Sequence, residues 1–129
     1  MKEICKPKSR KDAEEMAATI MLYIKGNFAK HISGQLVWTE KMRQYFTWGA
    51  HAHTLIGSKC GCYGLQFKVN GLLFKGRVRI YYNPCTDYFD VELVNARKEE
   101  LVKSFEDIDF LQLHNVCHRN IERNDDVEV

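Results

Sequence analysis

The chain has no apolar run long enough to span a membrane, and its opening stretch, Met1 to Arg10, lacks the apolar segment of a secretory signal. These absences set the first expectations: no membrane partner, and a cytoplasmic location. An excess of charge of one sign is missing too. With 19 Lys and Arg against 17 Asp and Glu, the net charge of +2 is far from the strongly basic balance of a dedicated nucleic-acid binder. The cysteines number five, and Cys60 and Cys62 have one residue between them. An odd count at that spacing does not suggest a secreted disulfide framework, so reduced thiols in an intracellular compartment are expected. Internal repeats, low-complexity segments, the Gly-Lys-Ser/Thr end of a phosphate loop and any oxyanion-forming motif are all lacking. No ordered catalytic constellation stands out, and the expectation is a protein that is not an enzyme, with no catalytic residue and no cofactor.

What is present suits one domain. At 129 residues and 45% hydrophobic, the chain can bury a core of its own. Residues 1–11 carry Lys2, Lys6, Lys8, Arg10 and Lys11 and read as a basic flexible arm, 12–123 as a single α+β domain, and 124–129 as an acidic tail. Ser9 with Asp12 gives a helix start, Met16, Ala17, Ile20, Tyr23 and Ile24 recur at helical spacing, and Gly26 ends the run. A second helix fits Thr39–Trp48, with Met42, Tyr45 and Phe46 as its stripe. His51 to Ile56 alternates like a strand and leads into the glycine-rich loop 57–64.

Residues 64–96 read as three antiparallel strands. Asn70-Gly71 predicts a tight type I′ turn that pairs Val69 with Leu72, Phe67 with Phe74 and Leu65 with Gly76. The next connection, within Asn83–Asp87, must be four residues long to place Val78, Ile80 and Tyr82 on the face of Phe89, Val91 and Leu93. Leu101–Phe105 supplies a further strand, and Asp107 is expected to cap a last helix with Phe110, Leu113, Cys117 and Ile121 inward. The predicted architecture is N-terminal helices, a four- to five-stranded antiparallel meander, and a C-terminal helix packed on one face. A meander this short leaves an unpaired edge, which makes a homodimer a natural expectation.

The other face of the sheet would carry Lys68, Lys75, Arg77, Arg79 and Tyr81, with Arg79 facing Glu92 or Asp90. One reading is a solvated face with cross-strand ion pairs. The other is an electropositive, aromatic strip for a phosphate, a nucleotide, nucleic acid or an acidic host protein, since guanidinium forks fit phosphate and rings stack on bases. Tyr45 and Trp48 are most simply core, or else an exposed partner-binding ridge.

His114 and His118 share a face of the last helix beside Cys117, and with Cys60 and Cys62 they form an alternative zinc set. A single residue between paired cysteines is unusual for such a site, and Cys117 falls on the apolar stripe. His51 and His53 on one side of a strand suit metal or acid–base work, or two half-exposed histidines at a sheet edge. A cysteine nucleophile with a histidine base completes the enzymatic alternative. A double-stranded-RNA-binding module has a similar layout, but its last helix must open on lysines, and here it opens Asp107-Ile108-Asp109, which repels phosphate.

The pattern Trp48-Gly49-Ala50, Gly64-Leu65-x-Phe67-x-Val69, Gly76-Arg77-Val78-x-Ile80, Thr86-Asp87-x-Phe89-Asp90-Val91 and Glu106-Asp107 through Gln112-Leu113-His114 resembles small accessory proteins of tailed phages and their prophages, over residues 12–122. Its motifs are turns, caps and core alternation, so the resemblance carries over no catalytic residue. It implies a bacterial host cytoplasm and a protein that binds host machinery, defence systems included. Gly26–Val37 and the Cys60–Cys62 loop are longer than that pattern.

Overall fold

The computed structural model describes residues 10–26, 30–32, 35–37, 39–57 and 63–122. The helix α1 (Arg10–Lys25) is followed by a pair of short antiparallel strands, β1 (Lys30–Ile32) and β2 (Gln35–Val37), and by α2 (Glu40–Thr47). Then come β3 (His51–Gly57), β4 (Tyr63–Asn70), β5 (Lys75–Asn83), β6 (Tyr88–Asn95), β7 (Leu101–Ile108) and α3 (Leu113–Ile121). The five longer strands form one antiparallel sheet in chain order, a plain meander, and the fold is α+β as expected. Among the described residues no helix is long and apolar enough to cross a membrane.

Local chemistry accounts for the helices. Gly26 takes φ +81° and ends α1, and Thr39 Oγ1 accepts from Met42 N–H at 3.2 Å to start α2. Ile20 and Ile24 of α1, Tyr45 of α2 with Trp48 just after it, and Leu113, Cys117 and Ile121 of α3 close over one face of the sheet. That face presents Leu65, Phe67, Val69, Val78, Ile80, Phe89, Val91 and Leu93, all buried. Arg77 and Arg79 point the other way, so the alternation read from the sequence holds.

The β5–β6 connection is also as expected: Asn83 pairs with Tyr88 across four residues, and Arg79 faces Glu92. The β4–β5 connection is not. No type I′ turn forms at Asn70-Gly71; Asn70 pairs with Lys75 and Val69 with Gly76 across a four-residue loop. Neither Asn70 nor Gly71 has positive φ. The end of α3 wins over the turn. The carbonyl of Ile121 accepts from Leu73 N–H at 2.9 Å and from Phe74 N–H at 3.2 Å, so the loop caps the helix terminus. Gly71 serves close approach here, since a Cβ on it would collide with that same carbonyl oxygen.

Asp107 is a second correction. It sits in β7 at φ +55°, with its N–H bonded to Asp90 Oδ1 at a register shift, and α3 begins later without a side-chain cap. Phe110 precedes the helix and is half-exposed against Tyr23. The edge strands β3 and β7 both carry such shifts, at Ala52 (φ +55°) and Asp107, a device that discourages edge-to-edge pairing. Arg10 and Lys11 belong to α1, so the helix takes the end of the expected basic arm. The rest of that arm, Ser9, Cys60, Cys62 and the acidic tail lie outside the described residues.

Cys85 corrects the expectation of reduced thiols. It is disulfide-bonded, and its partner lies outside the described residues. Two outcomes are expected. The Cys85 peptide should take up iodoacetamide only after reduction, and labelling of the denatured, unreduced chain there would refute the bond. Gly71→Ala should destabilise the fold by about 1–3 kcal/mol in urea denaturation, because backbone must shift to admit the methyl; an unchanged midpoint would show that the loop is free to move.

Candidate functional site: a basic groove at one end of the sheet

The meander sets side chains in rows across its outer face, because partners on adjacent antiparallel strands project to the same side. At one end the row runs His51, Lys68, Arg77, Val94, Leu101. The next runs Thr54, Gln66, Arg79, Glu92, Ser104. Toward the far end Tyr81 stands beside Asp90. Charge therefore changes along the face, from cationic through neutral to acidic.

The cationic end opens into a groove of about 500 Å³. His51, Lys68, Lys75 and Arg97 line it with the amides of Asn70 and Asn95, over Val69, Gly76 and Ala96. Among the described residues, none of those lining it is acidic. Local structure places two of these side chains, His51 and Arg97. His51 Nδ1 lies 2.8 Å from the Gly49 carbonyl, which fixes the ring. Asn95 Oδ1 accepts from Arg97 N–H at 2.9 Å and from Lys98 N–H at 3.4 Å, the Asx turn that carries Arg97 back over the strand ends. Asn70 N–H donates to the Trp48 carbonyl at 2.8 Å, and Gly49, at φ +64°, packs against it.

Arg77 stands directly across from Lys68. One of its terminal nitrogens pairs with Glu99 at 2.5 Å, while its Nε is buried without a hydrogen-bond partner. Of the expected site residues, then, Lys68 and Lys75 line the groove and Arg77 borders it. Arg79 is engaged one row away, donating to Gln66 Oε1 at 2.8 Å opposite Glu92. Tyr81 lies farther still. Tyr45 and Trp48 are 5% and 0% exposed, so they are core and not a docking ridge. His51, Asn70, Asn95 and Arg97 complete the groove and were not expected there. Residues 95–100 carry two cations and two carboxylates, so charge in the sequence did not single out Arg97.

The other polar cluster is internal. Trp48 Nε1–H donates to His118 Nδ1 at 2.9 Å, which leaves that imidazole neutral with its proton on Nε2. His114 sits between the Ile24 carbonyl, 2.6 Å from Nδ1, and Gln44 Oε1, 2.7 Å from Nε2. In the neutral ring Nδ1–H donates to Ile24 and Nε2 accepts, a role for which Gln44 must turn its NH₂ toward the ring. Tyr45 Oη and His53 Nε2 are 2.9 Å apart, and His53 stacks on Phe67.

These bonds knit α1, α2 and α3 together, and they engage both ring nitrogens of His114 and Nδ1 of His118. Cys60 and Cys62 lie outside the described residues, and no group of three or more metal-ligating side chains occurs among those described. Burial pushes the Cys117 thiol up to about 12, the opposite of an activated nucleophile. Comparison with protein-family models, with curated proteins and with solved structures gives no match.

Burial drives the His114 imidazole down from 6.5 to about 4, against the pull of the Ile24 carbonyl, with the charge of Lys41 helping to lower it. His53 is also lowered, first by burial, then by His51 and Lys25. The unfolded chain therefore takes up protons that the fold refuses. The contribution of His114 is complete above pH 6.5 and drains as pH falls toward about 4, by up to ~1.4 kcal/mol per pH unit. Urea midpoints should fall across that window and fall less steeply in His114→Gln. Parallel slopes for the two proteins would refute a neutral buried His114.

Proposed function

We propose that this protein is a non-enzymatic binding protein whose basic groove captures a phosphate-bearing component. The setting is the one its resemblance to phage and prophage accessory proteins implies, an anti-defence-like sequestration of something belonging to the host. The observation that carries the reading is the pairing of Lys68 with Arg77 on adjacent strands, with Lys75, Arg97 and His51 around them. Like charges directly opposite one another destabilise a sheet. A fold that keeps them, with one ion pair to offset them and a guanidinium Nε left without a partner, has a surface that an anion would complete. The nucleic-acid, nucleotide and acidic-protein ligands expected for the wider strip share this chemistry, and the strip contracts to its cationic end.

The test is an NMR titration of the full chain with inorganic tripolyphosphate. Shifts are expected at the amides of Asn70, Lys75, Asn95 and Arg97, with affinity falling as salt rises. Lys68→Glu/Lys75→Glu should weaken binding at least ~10-fold, since charge-assisted hydrogen bonds are lost. Arg79→Gln, one row away, should not. An unchanged affinity in the double variant, or equal losses in both, would refute the groove.

A further inference from the structure

The loop between β4 and β5 exposes two leucines on a rigid backbone, and the groove alone does not account for them. Leu72 is 83% exposed and Leu73 54%, although every N–H of the loop is bonded. Gly71 N–H donates to the Phe74 carbonyl, Leu72 N–H to Glu122 Oε2, and Leu73 and Phe74 N–H to the Ile121 carbonyl. These bonds cap the end of α3 and leave the loop no unmet backbone donor, yet none of them calls for apolar side chains at its tip. The loop is flanked in the chain by Asn70 and Lys75, both in the groove, and Leu101, 56% exposed, closes the same row as Lys68 and Arg77. Exposed aliphatic side chains beside a cationic cluster form the pattern that binds an anionic lipid surface, where each cation contributes and the apolar tip enters the headgroup boundary.

We propose that this end of the sheet docks on an anionic phospholipid bilayer, Leu72 and Leu73 entering the interface while Lys68, Lys75 and Arg97 hold lipid phosphates, an inference that rests on the groove being an anion site. It departs from the sequence expectation of no membrane partner. That expectation followed from the missing span, and surface attachment needs none. Nucleic acid is the less favoured occupant: among the described residues lining the groove there is no Phe, Tyr or Trp, so bases would have only the His51 ring to stack on, and the leucines would stay wet.

Co-sedimentation of the full chain with vesicles decides it. Binding is expected to vesicles of equal parts phosphatidylcholine and phosphatidylglycerol and not to phosphatidylcholine alone. Leu72→Ser/Leu73→Ser should lower vesicle affinity ~10-fold or more while leaving tripolyphosphate binding unchanged, and Lys68→Glu/Lys75→Glu should lower both. The lipid assignment is overturned if the wild-type chain ignores mixed vesicles, if the leucine variant binds them undiminished, or if a thymidine oligonucleotide is captured and vesicles are not. In each of those cases intact tripolyphosphate binding leaves the groove standing, whereas its absence from the wild-type chain removes the groove itself.

Discussion

The fold turns on Trp48. A fully buried indole must find an acceptor for its N–H, and the one it finds is His118 on α3. Its own carbonyl receives Asn70 N–H at the end of β4. One residue therefore fixes α3 to the short segment after α2 and fixes that segment to the sheet. Tyr45, His114 and His118 pack their rings against it, so the polar bonds lie inside an aromatic cluster where water cannot compete for them. Once α3 is placed, its last carbonyls fall beside the β4–β5 loop, and Ile121 takes two of that loop's N–H groups. The groove lies just past that contact.

The outer face gains its asymmetry from register. An isolated cross-strand ion pair such as Arg79 with Glu92 contributes roughly 0.2–1 kcal/mol and needs no functional account. Lys68 facing Arg77 is the reverse case, a pair that costs stability, and Glu99 offsets only one side of it. Glu99 itself stands at φ +52°, in the left-handed region that few non-glycine residues adopt, within the turn that also places Arg97. At this end of the face a left-handed residue, Glu99, thus stands beside the repelling pair. Conflicts between local preference and the fold concentrate at working surfaces.

Much of the fold was legible because side-chain alternation survives an even error. The expected hairpin paired Val69 with Leu72, the observed one pairs it with Gly76, and a shift of four residues leaves every side chain on its own face. The same shift hid the site. The expected register sets Lys68 opposite Leu73 and so separates it from Arg77, whereas the true one brings the two cations together. The turn was misread because its determinant, the Ile121 carbonyl, is far away in sequence. Asp107 was misread for a related reason: a carboxylate ahead of an apolar run suits a helix cap, but Asp90 holds its N–H inside a β-bulge. Trp48 and Tyr45 looked eligible for a surface ridge only while their hydrogen-bond partners, His118 of α3 and His53 of β3, were unknown.

The shape of the groove is tied to the stability of α3. The C-terminal end of α3 contributes no side chain to the lining of the groove, yet it holds the loop whose two ends supply Asn70 and Lys75. Fraying of the last helical turn would release the donors of Leu73 and Phe74 together, and Asn70 and Lys75 at the loop's base would lose their fixed spacing. The opposite end of the sheet, where Asn83 to Tyr88 turns and Cys85 is disulfide-bonded, shares no hydrogen bond with that loop among the described residues. Weakening there should cost global stability without first deforming the groove. The two ends of one small sheet are therefore separable, one answering to α3 and the other to the covalent chain, because local opening follows the contacts that each end possesses.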